Sequence, residues 1–179
     1  MKLYDGIDAD MAAWIAAQHL FFVASAPLDS DGHINLSPRG LDSLRVLDPR
    51  TVAWLDLTGS GNETASHLAE NGRLTLMFCA FEGPPRILRL YGRGRGVLPS
   101  HREWDDLSAR LPELPGARQI LLLEVDRVQT SCGYGVPEME YRGDRSRLIS
   151  WAERKGEEGL RSYREKNNTV SIDGLPAPR

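Results

Sequence analysis

Residues 56–71, DLTGSGNETASHLAEN, set two glycines among Thr58, Ser60 and Asn62, between an apolar run and a segment with helical spacing. At Thr58-Gly59-Ser60-Gly61 the backbone can come close to an anion, because glycine has no Cβ and tolerates positive φ. A helix starting near Asn62 or Glu63 would aim its unpaired N–H groups and positive dipole end at the same point. Thr58, Ser60, Asn62 and Thr64 add side-chain donors. The chemistry these types and spacings suit is phosphate binding. The segment is neither a Walker loop, which needs G-x-x-x-x-G-K-[ST], nor G-x-G-x-x-G, because Thr64 stands where the third glycine belongs. The plain alternative is a reversing loop whose Asn62 caps the helix.

A second stretch, GHINLSPRG (32–40), ends a predicted strand in Ser37-Pro38-Arg39-Gly40. Alternation puts Ile34 and Leu36 on one face and Asn35 and Ser37 on the other. Pro38 cannot donate to a ladder, so pairing is interrupted where Arg39 appears. A guanidinium there can clamp a phosphate bidentately, or it is a solvated strand-end charge. A third stretch, RILRLYGRGRGV, sends Arg89, Tyr91, Arg93 and Arg95 to one face of a strand. That stripe either meets an anion, through Arg93 or Arg95, or forms an exterior paired with Asp105, Asp106 and Glu124.

Other reactive types give less. Cys79 lies in an apolar run and Cys132 in a Gly-rich loop without a basic neighbour, so neither a disulfide framework nor an activated thiol is indicated. The four histidines show no ligand spacing, so no metal is expected, and His67 reads as a surface or interface residue. Tyr134 and Pro137, in the irregular SCGYGVPEMEY, can form an apolar lid over a flat ring. Leu148, Ile149 and Trp151 lie on an amphipathic helix and read as packing. No side chain stands out as an essential acid or base, so the catalytic residues are not assigned.

These residues need elements to position them. Asp8 or Asp10 can cap a first helix carrying Met11, Trp14 and Ile15. Strands are predicted over 20–28, 34–40, 51–57, 73–81, 87–98 and 117–130. Ser100 and Glu103 spell a capping box for a helix to about Arg110. A last helix is predicted from about Asp144 to Lys166, followed by the tail SIDGLPAPR. Six strands with short connections and one helix amid them argue against a doubly wound sheet. The expected fold is α+β: a mostly antiparallel six-stranded split β-barrel with flanking helices and a helical C-terminal extension.

Bulk properties narrow the function. The 179 residues are 41% hydrophobic and 26% charged with net charge −3, which gives no electrostatic basis for general nucleic-acid or membrane binding. No apolar run approaches the roughly 18–20 residues of a bilayer span. The opening MKLYDGIDADM is acidic where a signal peptide is basic, so a cytoplasmic chain is expected.

Taken in order, the first helix, NLSPRG, VAWLDLTGSGNETASHLAENGRLTLMF, the GRGRG strand and ARQILLLEVDRV resemble the pyridoxamine 5′-phosphate oxidase-like, FMN-binding split-barrel family over about residues 8–130. The resemblance implies a homodimer with FMN at its interface and a small-molecule substrate. It implies that Asn35, Ser37, Pro38, Arg39 and Gly40 line the flavin along one strand. Leu57, Thr58, Gly59, Ser60, Gly61, Asn62 and Thr64 would then take the ring edge, ribityl chain and phosphate. The chain departs from the vitamin-making oxidase in carrying Ser60-Gly61-Asn62 where that enzyme has an Arg-Lys pair. Phosphate charge then falls to Arg39, the helix dipole or a partner-chain Arg. Residues 1–130 are expected to form the FMN-binding domain. Residues 131–179 would pack on the barrel or the partner chain, close over the cofactor and set substrate choice. The leading functional reading is an FMN-dependent oxidoreductase. A deazaflavin-dependent reductase of the same fold, and a non-catalytic flavin- or haem-binding module, stand beside it.

Overall fold

The computed structural model describes residues 1–178. Its elements run β1 (Lys2–Tyr4), α1 (Ala9–Ala16), β2 (Phe21–Ser25), β3 (Asn35–Arg39), β4 (Leu44–Asp48), β5 (Thr51–Leu57), α2 (Glu63–Glu70), β6 (Arg73–Cys79), β7 (Ile87–Val97), α3 (Trp104–Ser108), β8 (Ala117–Ser131) and α4 (Arg147–Asn167). The fold is α+β and every strand pairing is antiparallel, as expected from the short connections. The sheet has eight strands rather than six, because β1 and β4 also join it. β1 has three residues and is mostly exposed, and β4 is largely half-exposed, so neither shows the buried apolar positions of β2, β5, β6, β7 and β8.

Strand order is β3-β2-β6-β7-β8-β5-β4, with β1 on the far end of β8. The two ends of that order, β3 and β4, are joined only by residues 40–43. Such a link reaches at most about 17 Å at roughly 3.5 Å per residue. The sheet must therefore curl until its edges nearly meet, yet β3 and β4 share no ladder and the sheet is not closed. The link is tight: Leu41 and Asp42 take φ of 63° and 51°, and Asp42 binds the Arg45 guanidinium at 2.8 and 2.9 Å.

The curl encloses the main core, in which Phe21 meets Trp54 edge-on at 6.2 Å and Phe78 at 5.8 Å. A second apolar cluster lies outside β5 and β8, where Ala53, Leu55, Ile120 and Leu122 pack against Trp104, Leu107 and Leu111. That explains why TVAWLDL and ARQILLLEV are apolar at successive positions: both strands are covered on two faces. In β7, a Cβ at Gly92 would run into the Glu124 carbonyl, and one at Gly94 into Leu68 and Leu74. The GRGRG glycines thus let β8 bulge and α2 pack closely.

The helices show where local signals held. Asp8 caps α1 through Met11 N–H at 2.7 Å. The S-x-x-E box does not form: Glu103 turns to Arg95, Ser100 caps nothing, and α3 shortens to five residues. An ion pair has overridden a cap. α4 bends at Gly156, whose φ of 63° separates two helical segments. No helix among the described residues is long and apolar enough to cross a membrane.

Candidate binding site at the split

The curl brings Arg39, at the end of β3, to Asp56 of β5: Nη2 lies 3.5 Å from Oδ1 across the open edge of the sheet. Asp56 is 1% exposed, and its other oxygen accepts from Arg118 Nε and Gln119 Nε2, both at 2.7 Å. Gln119 also donates to Asn62 Oδ1 at 2.9 Å, and Arg118 Nη1 donates to Asn168 Oδ1 at 3.0 Å. Asn168 closes the set by donating to the Gly59 carbonyl at 3.1 Å. One buried carboxylate thus serves two guanidinium groups, and the whole network underlies the TGSGN turn. Within that network two guanidinium groups face one carboxylate, while Glu63 adds a second carboxylate beside Gly61.

The turn itself is held from one side and open on the other. Thr58 is buried, and both its N–H and its hydroxyl donate to the Gly116 carbonyl at 2.8 Å. Leu57 packs in the outer apolar cluster. Asn62 sits at the N-cap of α2, yet its side chain makes no capping bond because Gln119 holds it. The first turn of α2 is consequently left uncapped. Among the described residues, the backbone N–H groups of Gly59 through Ala65 donate to no acceptor. Neither Gly59 nor Gly61 takes positive φ, and a Cβ on either would meet nothing closer than 3.4 Å. The chain's own packing does not require glycine at these positions.

β3 reaches the same place. Asn35 donates to Thr64 Oγ1 at 3.1 Å and accepts from Ser37 Oγ at 3.1 Å, which ties the strand to the start of α2. Asn35, Ser37 and Arg39 share this half-buried face, whereas Leu36 and Pro38 point outward. Arg39 Nε is buried without a partner, a donor held ready. Gly40 accepts from Ser43 Oγ at 2.8 Å and holds the link to β4. The structure therefore gathers Asn35, Ser37, Arg39, Gly59, Ser60, Gly61, Asn62 and Thr64 at one place, and puts Leu57, Thr58 and Gly40 in supporting positions.

Other candidates fall elsewhere. His67 is fully buried, not at a surface, because α2 turns its Thr64–Leu68 face into the sheet; Ser25 Oγ lies 3.0 Å from its Nδ1. Arg95 pairs with Glu103, Arg93 donates to the Asn71 carbonyl at 2.8 Å, and Arg89 faces Ser131, so the stripe is an exterior. Its acid partner is Glu103 rather than Asp105 or Asp106. Cys132 and Tyr134 are exposed, while burial pushes the Cys79 thiol up. Among the described residues no group of three or more His, Cys, Asp or Glu side chains could hold a metal ion.

The C-terminal tail straps this region from within the same chain. Ile172 N–H donates to Glu63 Oε2 at 3.0 Å, in the first turn of α2. Asp173 takes the His33 N–H at 2.8 Å and lies 2.6 Å from its Nδ1. The hydrogen bond to Asp173 holds the His33 imidazole above its ordinary value of 6.5, and the same bond holds Asp173 below 3.8. A raised His contributes fully below its unfolded value and is lost as pH rises through the folded one; a lowered Asp is the converse. The strap should be tightest between about pH 4 and 6.5 and loosen as pH rises through the folded His33 value or falls through the folded Asp173 value. Amide-exchange protection at His33 and Ile172 should fall as pH is raised from 6.5 through the alkaline range in the native chain, and His33→Asn should remove that fall. Flat protection across this range in the native chain would show that the pair does not hold the tail.

Sequence reasoning passed over Asp56, Arg118, Gln119 and Asn168. For the first three a signal existed, since each is polar within a strand whose neighbours are apolar on both faces. Asn168 carries no local signal; only the return of α4 brings it there.

A family model described as pyridoxamine 5′-phosphate oxidase matches residues 7–132. A curated relative from Aspergillus flavus, the pyridoxamine 5′-phosphate oxidase family protein ustO, is 40% identical over 197 residues, covering 97% of this chain and 76% of that protein. Among solved structures, HupZ of group A Streptococcus superposes with a TM-score of 0.54 at 20% identity, over 70% of this chain and 94% of that one. A Lactobacillus delbrueckii protein, provisionally described as a pyridoxamine 5′-phosphate oxidase, gives 0.55 at 17%, over 72% and 99%.

Proposed function

The chain belongs to the pyridoxamine 5′-phosphate oxidase family, and on that premise we propose that it is a flavin-dependent oxidoreductase binding FMN at the split, in a homodimer, and acting on a small organic substrate. The observation that carries the reading is the TGSGN turn: free N–H groups, glycines that the chain's own packing does not require, and Arg39 Nε without a partner all converge there. That set fits a phosphate monoester on a flavin. Gly59, Ser60, Gly61 and the first turn of α2 would hold the phosphate, with Arg39 as its charged partner. Asn35 and Ser37 would meet the more polar parts of the ligand along β3. Bound flavin supplies the hydride or electron transfer, while the protein orients the ring and excludes water.

The exposed Leu36 on the outer face of β3, and the exposed Ile34 just before the strand, suit a second copy of the chain, which would cover the open edge. An oxidoreductase rather than a storage or sensing module requires that bound flavin be reducible. Sedimentation followed at the flavin absorbance should show a dimer carrying flavin, bleached anaerobically by a reduced nicotinamide. A monomer carrying a full complement of flavin would refute the interface, and flavin that no nicotinamide or deazaflavin donor bleaches would favour the binding module.

A further inference from the structure

α4 and the loop before β8 border an open cleft of about 980 Å³ that the family match, ending at residue 132, does not include on its α4 side. Its polar floor is built from Arg118 and Gln119, 6% and 1% exposed, with Arg164 of α4 beside them. Leu98, Leu114 and Leu160 supply apolar wall. We infer that this cleft is a second binding site, taking a small organic molecule with one carboxylate head and an apolar body.

Two observations lead there. First, Arg164 is half-buried and makes no salt bridge among the described residues; its only side-chain bond is Nε to the Leu160 carbonyl at 3.2 Å. Second, burial and the charge of Arg118 push the Arg164 guanidinium below its usual range, so two cations lie close together, and the carboxylate that Arg118 binds, Asp56, makes no salt bridge to Arg164. An oxyanion between them would relieve that repulsion and take up their free donors.

The rim decides the ligand's charge. Glu153, Glu157, Glu158 and Glu165 are exposed around the opening, and although solvent screens them they disfavour a molecule carrying several negative charges. A single carboxylate on an apolar body satisfies floor, walls and rim together. The cleft also backs onto the flavin cradle, since Asn62 and Asn168 lie on its boundary and Asn168 bonds the Gly59 carbonyl. The inference does not rest on the flavin reading, because the cavity and its charges exist without it.

Benzoate is the probe, with benzamide as its neutral isostere and phenyl phosphate as the dianion. Calorimetric titration of the full, flavin-free chain should show benzoate binding more tightly than either. Arg164→Gln should weaken benzoate by roughly 10- to 150-fold, the range for one charge-assisted bond, and leave benzamide unchanged. Arg154→Gln, which removes an equal charge from the same helix outside the cleft, should leave benzoate binding unchanged. Equal binding of benzoate and benzamide to the native chain, or unaltered benzoate binding by Arg164→Gln, would overturn the inference. So would displacement of benzoate by FMN, which would make the cleft the phosphate end of the flavin site. Benzoate binding in a chain that takes up no FMN would sustain this inference while the flavin reading failed.

Discussion

Replacing Asp56 by Ala should destabilise the chain by about 3–5 kcal/mol, because it strands a buried guanidinium rather than merely deleting a contact. Arg118 is 6% exposed, and Asp56 is its only carboxylate partner among the described residues. Gln119 would lose an acceptor in the same step. Urea unfolding at a fixed chain concentration measures the loss, the fixed concentration removing any contribution from association. Asp56→Ala/Arg118→Met should recover part of it, since an apolar side chain of similar length leaves no charge to satisfy. A single variant that loses less than about 1 kcal/mol would mean that water reaches Arg118 and the network is not the support of the turn.

Arg39→Ala should behave oppositely: little change in stability, large change in ligand affinity. Asp56 keeps Arg118 and Gln119 when Arg39 is removed, so the fold retains its buried pair. A charge-assisted bond to phosphate contributes about 1.5–3 kcal/mol, so FMN should bind roughly 10- to 150-fold more weakly. Riboflavin, which lacks the phosphate, should bind native and variant alike. Gly61→Val makes the complementary test, because the chain has room for a Cβ there, whereas the added side chain should block a ligand in the cradle. Flavin fluorescence reads all these titrations. If Arg39→Ala weakens FMN and riboflavin equally, or neither, Arg39 does not read the phosphate.

β2, β5, β6, β7 and β8 were legible because each carries apolar residues between turn formers, and β3 because it follows a Gly-containing turn; β1 and β4 were not. β4, LRVLD, is held at the sheet edge by its four-residue link to β3, a topological constraint with little local sequence expression. The TGSGN turn and Arg39 could be found from spacing, since glycines and a strand-end arginine are local features. What holds them could not be found so easily. Asp56 meets Gln119 63 positions away, and Arg118 meets Asn168 50 positions away, so both depend on how β5, β8 and α4 assemble. His67 was misplaced for a related reason. A polar residue on a short helix reads as exposed until the helix is seen lying across β2 and β7, with Ser25 supplying the buried partner. At Glu103 the local signal was present but lost to Arg95, a neighbour brought close by the strand before it.

The central claim is that the split binds a flavin through a 5′-phosphate. The most direct measurement is the spectrum and mass of the small molecule released when the purified chain is denatured, with FMN titrated into any preparation that emerges colourless. The account predicts the absorption bands and mass of FMN at one per chain, or saturable FMN uptake to the same stoichiometry with riboflavin far weaker. A released deazaflavin or haem, or a colourless chain that takes up riboflavin as well as FMN or neither, would contradict it.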